Sequence, residues 1–159
     1  MLDLGGVAKG FAVDLAAREL SVFDGFCVDA DGDLFVGGRG PHGENWQIGV
    51  QHPRDPGAVF CVVNVSNQAV CTSGDYERPA PSGTGHHLVD PRTGQSPNAL
   101  VSVTAIAPTA LLADGLSTTA VILGPAAGVR LLERHEAQGV LVTSTGATHV
   151  TSGFGRLLI

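Results

Sequence analysis

Four short stretches of this 159-residue chain hold residue types whose spacing could do chemistry. In DLGGVAKG, Asp3 to Gly10, a glycine pair opens a helical pattern. Such a start leaves backbone N–H groups free and lets a ligand come close, which is how helix N-termini hold phosphates. Lys9, the only lysine of the chain, adds charge there. The spacing matches neither the phosphate loop nor the dinucleotide fingerprint, so alone it reads as a plain helix start. In DADGDL, Asp29 to Leu34, carboxylates alternate as in a calcium loop. Leu34 and Gly40 then stand where that loop needs glycine and glutamate, so an acidic turn is the better reading, with Asp33 best suited to a task.

The third stretch, HHLVDPRTG, puts two histidines ahead of a strand-like run and an Asp-Pro turn. It is not the HExxH of zinc proteases. A histidine here could take a proton from a substrate hydroxyl, although a surface histidine is the plainer reading of the residues alone. The fourth, ADGLSTT, sets Asp114 and Thr118 four apart on one helical face, with Ser117 beside them. A carboxylate and a hydroxyl on adjacent turns are hard oxygen ligands suited to Mg²⁺, and Ala110 and Ala113 leave room for a ligand. A solvated, capped helix start is the bland alternative.

These stretches must be positioned by elements the pattern also predicts. Gly5 to Leu20 reads as a helix, with Val7, Phe11 and Leu15 as its packing face and Asp14 with Arg18 as an exposed pair. FCVDA, DLFVGG, NWQIGVQ, VFCVVNVS and QAVCTSG read as short strands of an antiparallel meander. A loop over 75–85 leads into HHLVD, a turn, and the strand VSVTAIA. Two helices follow, one from Pro108 to about Leu123 packing through Leu111, Leu112 and Leu116, and one opened by Pro125. GVLVTST and THVTS close the chain as a hairpin at Gly146. Without strict βαβα alternation the expected class is α+β, an antiparallel strand meander packed with helices in one domain over 1–159.

Composition excludes several functions. With 43% hydrophobic and 15% charged residues the chain can build its own core, which removes disordered and coiled-coil classes. A net charge of -6 with scattered cations makes nucleic acid and acidic membranes poor partners. Neither an export signal nor a membrane span is expected in this sequence. Cys27, Cys61 and Cys71 lack ligand spacing and read as buried free thiols.

Taken in order, DLGGVAKGFAVD, VDADGDL, WQIGV, CTSGDYER, HLVDPRTG, VSVTAIA and ADGLSTTAVILG resemble the ApbE family of FAD:protein FMN transferases. The resemblance covers nearly the whole chain and corresponds to the C-terminal half of family members. It implies that FMN from FAD is attached by a phosphoester to a threonine or serine hydroxyl of an acceptor protein, with AMP leaving. It further implies that Asp3 and Lys9 contact FAD, and that the Gly6 carbonyl, Asp114 and Thr118 bind Mg²⁺. Ser117 would touch the flavin nucleotide, and His87 would be the catalytic base or a nucleotide contact. The family usually has a GGD turn where this chain has Asp31-Gly32-Asp33, an added carboxylate near the expected phosphate region. Two alternatives use the same residues: hydrolysis of FAD to FMN and AMP, or a non-catalytic flavin-binding module completed by a missing N-terminal half or by a second copy. Family members are typically lipid-anchored in the cell envelope, a location this sequence leaves open.

Overall fold

The computed structural model describes residues 4–76 and 85–159. Asp3 and part of the predicted long loop therefore lie outside the described residues. Helix α1 (Ala8–Leu20) is followed by β1 (Gly25–Ala30) and β2 (Asp33–Gly38), then β3 (Trp46–His52), β4 (Asp55–Val65) and β5 (Gln68–Gly74). After β6 (Leu100–Ala107) come α2 (Ala110–Leu123), α3 (Pro125–Arg134), β7 (Gln138–Thr143), β8 (Thr148–Val150) and a closing 3₁₀ turn (Phe154–Leu157). Among the described residues no helix is long and apolar enough to cross a membrane.

The strands are antiparallel but do not form one continuous meander. The main sheet runs β1-β2-β5-β6-β7-β8, while β3 and β4 form a separate hairpin, whose Val63 makes an isolated bridge to Leu158. Chain leaving β2 crosses to the opposite face of the sheet, builds that hairpin, and returns as β5. The physical cause lies in the hydrophobic pattern. Val63 and Val65 of β4, with Trp46 and Ile48 of β3, turn inward against Val36, Val70 and Ile106 of the main sheet. Opposite faces of the sheet thus have separate cores, and β6 between them is buried at every position. On the helical side the core is Ala- and Val-rich, from Ala69, Val103 and Ala105 of the sheet to Ala113 and Ala120 of α2.

Small residues on that side let α1 and α2 approach closely, and this overturns the expected packing face of α1. Phe11 and Leu15 are 53% and 49% exposed, whereas Gly10, Val13 and Ala17 are buried. A Cβ at Gly10 would collide with the Ala110 carbonyl, so no larger residue fits the crossing. The predicted Asp14–Arg18 surface pair is likewise replaced. Asp14 reaches across to α2 and accepts hydrogen bonds from Ala110 N at 2.7 Å and Leu111 N at 2.9 Å, beside the Thr109 cap, which accepts from Leu112 N. These are orphan N–H groups of a helix start, and capping them stabilises by about 1 kcal/mol.

Smaller corrections follow the same logic. The helix predicted from Gly5 begins at Ala8, with Gly5 to Val7 in a turn. HHLVD is not a strand; an isolated bridge pairs Asp90 with Gln95 and closes the turn. Leu111 is exposed, and Cys27 is exposed on the edge strand β1, while Cys71 is buried as expected.

Candidate active site

The opening turn before α1, the β1–β2 turn, strand β5, the loop after residue 84 and the middle of α2 converge on one cavity of about 300 Å³. Gly6, Lys9, Asp33, His87, Asp114 and Thr118 line it. A larger recess of about 560 Å³ beside Phe26 and Phe35 contains none of the predicted site residues.

Asp114 sits on the buried face of α2, where helical spacing brings Ser117 and Thr118 beside it. Its Oδ2 accepts from Gly10 N at 3.0 Å. Because that N–H points to Asp114, it does not close the usual helical bond to Gly6, and the Gly6 carbonyl forms no hydrogen bond among the described residues. Asp114 Oδ1 is equally unbonded among them. Burial pushes the Asp114 carboxyl up to about 6; the Gly10 N–H pulls the other way, nearby Asp33 adds to the rise and Lys9 opposes it. A carboxylate so placed gains from any cation delivered to the cavity.

Thr118 stands next to the opening turn. A Cβ on Gly6 would lie 3.3 Å from Thr118 Cγ2 and 3.9 Å from its Oγ1. Thr118 Oγ1 is 3.1 Å from Ser73 Oγ, which is also 2.8 Å from Ser117 Oγ. Ser117 itself is 0% exposed and donates to the Asp114 carbonyl at 3.0 Å. Its hydroxyl lies behind the cavity wall, and Ser73 of β5 occupies the lining position in front of it.

Lys9 crosses the mouth toward the β1–β2 turn. Its Nζ donates to the Asp31 carbonyl at 3.1 Å and lies 3.1 Å from Asp33 Oδ2. Asp31 and Gly32 adopt positive φ values of 54° and 88°, the two-residue hairpin turn that favours Asp-Gly. Asp33 follows as the first residue of β2, its side chain turned inward and buried. Burial raises its carboxyl above the usual range, and Lys9 opposes that rise.

His87 comes from a braced loop. His86 is buried, with Nε2 2.7 Å from the Pro97 carbonyl, while Ser96 Oγ accepts from His86 N and donates to its carbonyl. Farther on, Arg92 clasps Asp90 through bonds of 2.8 to 3.2 Å, and the guanidinium holds that carboxyl below the usual range. Two fastened neighbours leave exposed His87 facing the cavity.

No group of three or more His, Cys, Asp or Glu capable of holding a metal occurs among the described residues. Around Asp114 the cavity offers that carboxylate, the Thr118 hydroxyl and a Gly6 carbonyl unpaired among the described residues. That hard-oxygen set fits Mg²⁺, which takes few protein ligands and keeps several waters. Predicted residues Gly6, Lys9, His87, Asp114 and Thr118 thus share one space. Asp33 and Ser73 join them, and neither was among the predicted site residues.

Comparison with known proteins is consistent with this arrangement. The model of the ApbE family matches residues 1–142. The chain belongs to the ApbE family. An FAD:protein FMN transferase of Haemophilus influenzae is 32% identical over 157 residues, covering 94% of this chain and 45% of that protein. The protein of the same name from Klebsiella pneumoniae is 38% identical over 130 residues, covering 78% of this chain and 37% of that protein. The ApbE protein of Thermotoga maritima superposes with a TM-score of 0.87 at 36% identity, over 98% of this chain and 53% of that one. The flavinyl transferase ApbE of Pseudomonas stutzeri gives 0.81 at 35% identity, over 99% of this chain and 51% of that one. This ApbE-family chain therefore spans about half the length of these relatives, with the mixed helix and antiparallel-sheet fold of the solved members.

Proposed function

We propose that this chain carries the metal and base half of an Mg²⁺-dependent FAD:protein FMN transferase, equivalent to the C-terminal half of such an enzyme. The single observation that supports the reading most strongly is that an unbonded Asp114 oxygen, the unpaired Gly6 carbonyl and Thr118 share a cavity with Lys9 and His87. Asp114, Thr118 and the Gly6 carbonyl would hold Mg²⁺, which when bound supplies positive charge against the FAD pyrophosphate. Lys9 adds a second cation on the same side and Asp3 a further nucleotide contact, while Ser117, buried behind the wall, supports the lining hydroxyl of Ser73 instead of reaching the nucleotide directly. His87 accepts the proton of the acceptor's threonine or serine hydroxyl as that oxygen bonds to the FMN phosphorus. The pyrophosphate P–O bond breaks, AMP departs with its electron pair, and the acceptor carries FMN as a phosphoester. Positioning and charge neutralisation supply most of the rate enhancement in transfers of this kind.

A second reading, a flavin-binding module without turnover, uses the same cavity. Incubation with FAD, Mg²⁺ and an acceptor domain, followed by flavin fluorescence on a denaturing gel, separates the readings. A fluorescent acceptor band that disappears with EDTA is the expected result. AMP release without acceptor would indicate hydrolysis, and flavin binding with neither product would leave the module. His87→Ala should lower the transfer rate about a hundredfold while changing FAD affinity little. Equal losses in both would remove the base assignment.

A further inference from the structure

Lys9 carries its charge on a flexible four-carbon stem, which by itself would sweep a wide arc at the cavity mouth. Two groups from the β1–β2 turn restrain it. The Asp31 carbonyl accepts from Nζ at 3.1 Å, and the Asp33 carboxylate stands 3.1 Å away. The turn itself is stiff: Ala30 pairs with Asp33 across it, and Gly32 N donates to Asp29 Oδ1 at 3.1 Å. Asp33 is also held from behind, since β2 pairs with β5 at Asp33 and Cys71. Its side chain is 2% exposed against 33% for Lys9, so the anion is the fixed partner and the cation the one being aimed. Asp33 Oδ2 forms no aligned hydrogen bond among the described residues and faces the Lys9 ammonium at 3.1 Å, while the Cys71 thiol and the Thr72 N–H also favour the charged carboxylate. A buried carboxylate costs several kcal/mol to desolvate, and an apolar residue at this inward position of β2 would be cheaper for stability alone.

We propose that Asp33 is a positioning residue: it fixes the Lys9 ammonium on the cavity wall, facing the space shared by Asp114 and Thr118. On the transferase reading above, on which this inference rests, that is where the pyrophosphate of FAD lies. Asp33 acts through Lys9 and touches no reacting atom. Its negative charge sits behind the ammonium, so the turn presents a cation to an incoming phosphate despite the carboxylates of DADGD.

The single lysine makes the test direct. Reductive methylation with ¹³C-formaldehyde labels only Lys9 and the terminal amine, and Lys9→Met identifies the Lys9 signal by its loss. In the unsubstituted chain the Lys9 methyl resonance should be displaced from that of free dimethyl-lysine, and in Asp33→Asn it should return to the free position. FAD affinity, read by flavin fluorescence quenching, should weaken about tenfold in Asp33→Asn and in Lys9→Met, and no further in the double variant. A Lys9 resonance unmoved by Asp33→Asn, or losses that multiply in the double variant, would overturn the positioning role. An unsubstituted chain with a displaced Lys9 signal but no FAD binding would instead overturn the transferase reading, because the resonance reports on the pair without ligand. Should Asp33→Asn not fold, Asp33→Glu moves the carboxylate by one methylene; it must shift the Lys9 signal, and an unchanged signal overturns the proposal.

Discussion

Two aspartates tie α1 to α2 in opposite directions, and they end up with different chemical prospects. Asp14 of α1 reaches the start of α2 and spends both oxygens on backbone N–H groups, those of Ala110 and Leu111. Asp114 of α2 reaches back to the start of α1 and spends one oxygen on Gly10 N. The first carboxylate is half-exposed and fully engaged, so it is a cap. The second is buried with an oxygen to spare, beside a carbonyl and a hydroxyl also facing the cavity. A carboxylate's availability for chemistry is what remains after its hydrogen bonds are counted, and burial then raises the value of a cation brought to it.

The largest test of that contrast is Asp114→Asn. The amide can still accept from Gly10 N–H, so the helix contact survives while the charge is lost. On the proposed function, metal-dependent transfer should fall by roughly a thousandfold or more, the scale of a ligand that supports several kcal/mol of charge stabilisation. Stability should move the other way. The Asp114 carboxyl is raised from 3.8 to about 6 on folding, so between those pH values the folded state holds a proton that the unfolded chain has released. That contribution is complete below pH 3.8 and is lost as pH rises through about 6. Metal-free Asp114→Asn should therefore be more stable at pH 7, by about 2 kcal/mol, and should lack this slope in denaturant titrations between pH 4 and 7. Equal stability at pH 7 would mean that Asp114 is not the strained group described here. Mg²⁺ affinity of the unsubstituted chain should also weaken below about pH 6, where proton and metal compete for one oxygen.

Gly10→Ala strikes the crossing that serves both aspartates. The added methyl meets the Ala110 carbonyl and stands 2.9 Å from Asp114 Cβ, and neither backbone can move without disturbing a cap or the site. A loss of about 2–3 kcal/mol is expected in chemical denaturation. A loss below about 0.5 kcal/mol would show that the helices have room to spare.

Much of the fold was readable from sequence where one signal dominated. Pro125 opens α3, Asp31-Gly32 makes the β1–β2 turn, and β6 shows as an apolar run. The face of α1 was misread because periodicity rewards large apolar side chains, whereas Gly10 and Ala17 are buried for being small. Separation of β3 and β4 from the main sheet was hidden as well. Alternation tells which side of a strand is buried and not which sheet buries it. In the cavity, Asp114 and Thr118 could be paired from helical spacing alone. Their meeting with Gly6 and Lys9, a hundred or so positions earlier, needed the family resemblance. Asp33 stood out of its acidic run as the carboxylate best suited to a task, but nothing local marks that its counter-charge is Lys9 on another element. Ser73 gave no signal, because its partners Ser117 and Thr118 lie 44 and 45 residues away.

A smaller loss separates the cap from the site. Asp14→Ala removes two bonds to the start of α2 but leaves Thr109 still capping through Leu112 N. Stability should drop by about 1–2 kcal/mol, while activity measured well below the melting temperature stays within about twofold. A large loss of activity with little loss of stability would place Asp14 in the site and break the comparison.

The finest distinction belongs to Thr118→Val, which removes one hydroxyl at nearly constant volume. Ser73 loses its 3.1 Å contact with Thr118 Oγ1 but keeps the 2.8 Å contact with Ser117 Oγ, so no buried hydroxyl is stranded and stability should change by less than about 1 kcal/mol. The remaining donors belong to Asp114 and Gly6, which both still line the cavity. On the proposed function Mg²⁺ would then be held by one fewer protein oxygen, with water able to take the place, so the concentration for half-maximal transfer should rise about tenfold while saturated turnover changes little. A titration of activity against Mg²⁺ reads this directly. An unchanged Mg²⁺ requirement would reduce Thr118 to a partner of Ser73 and leave Asp114 and the Gly6 carbonyl as the chain's assigned ligands.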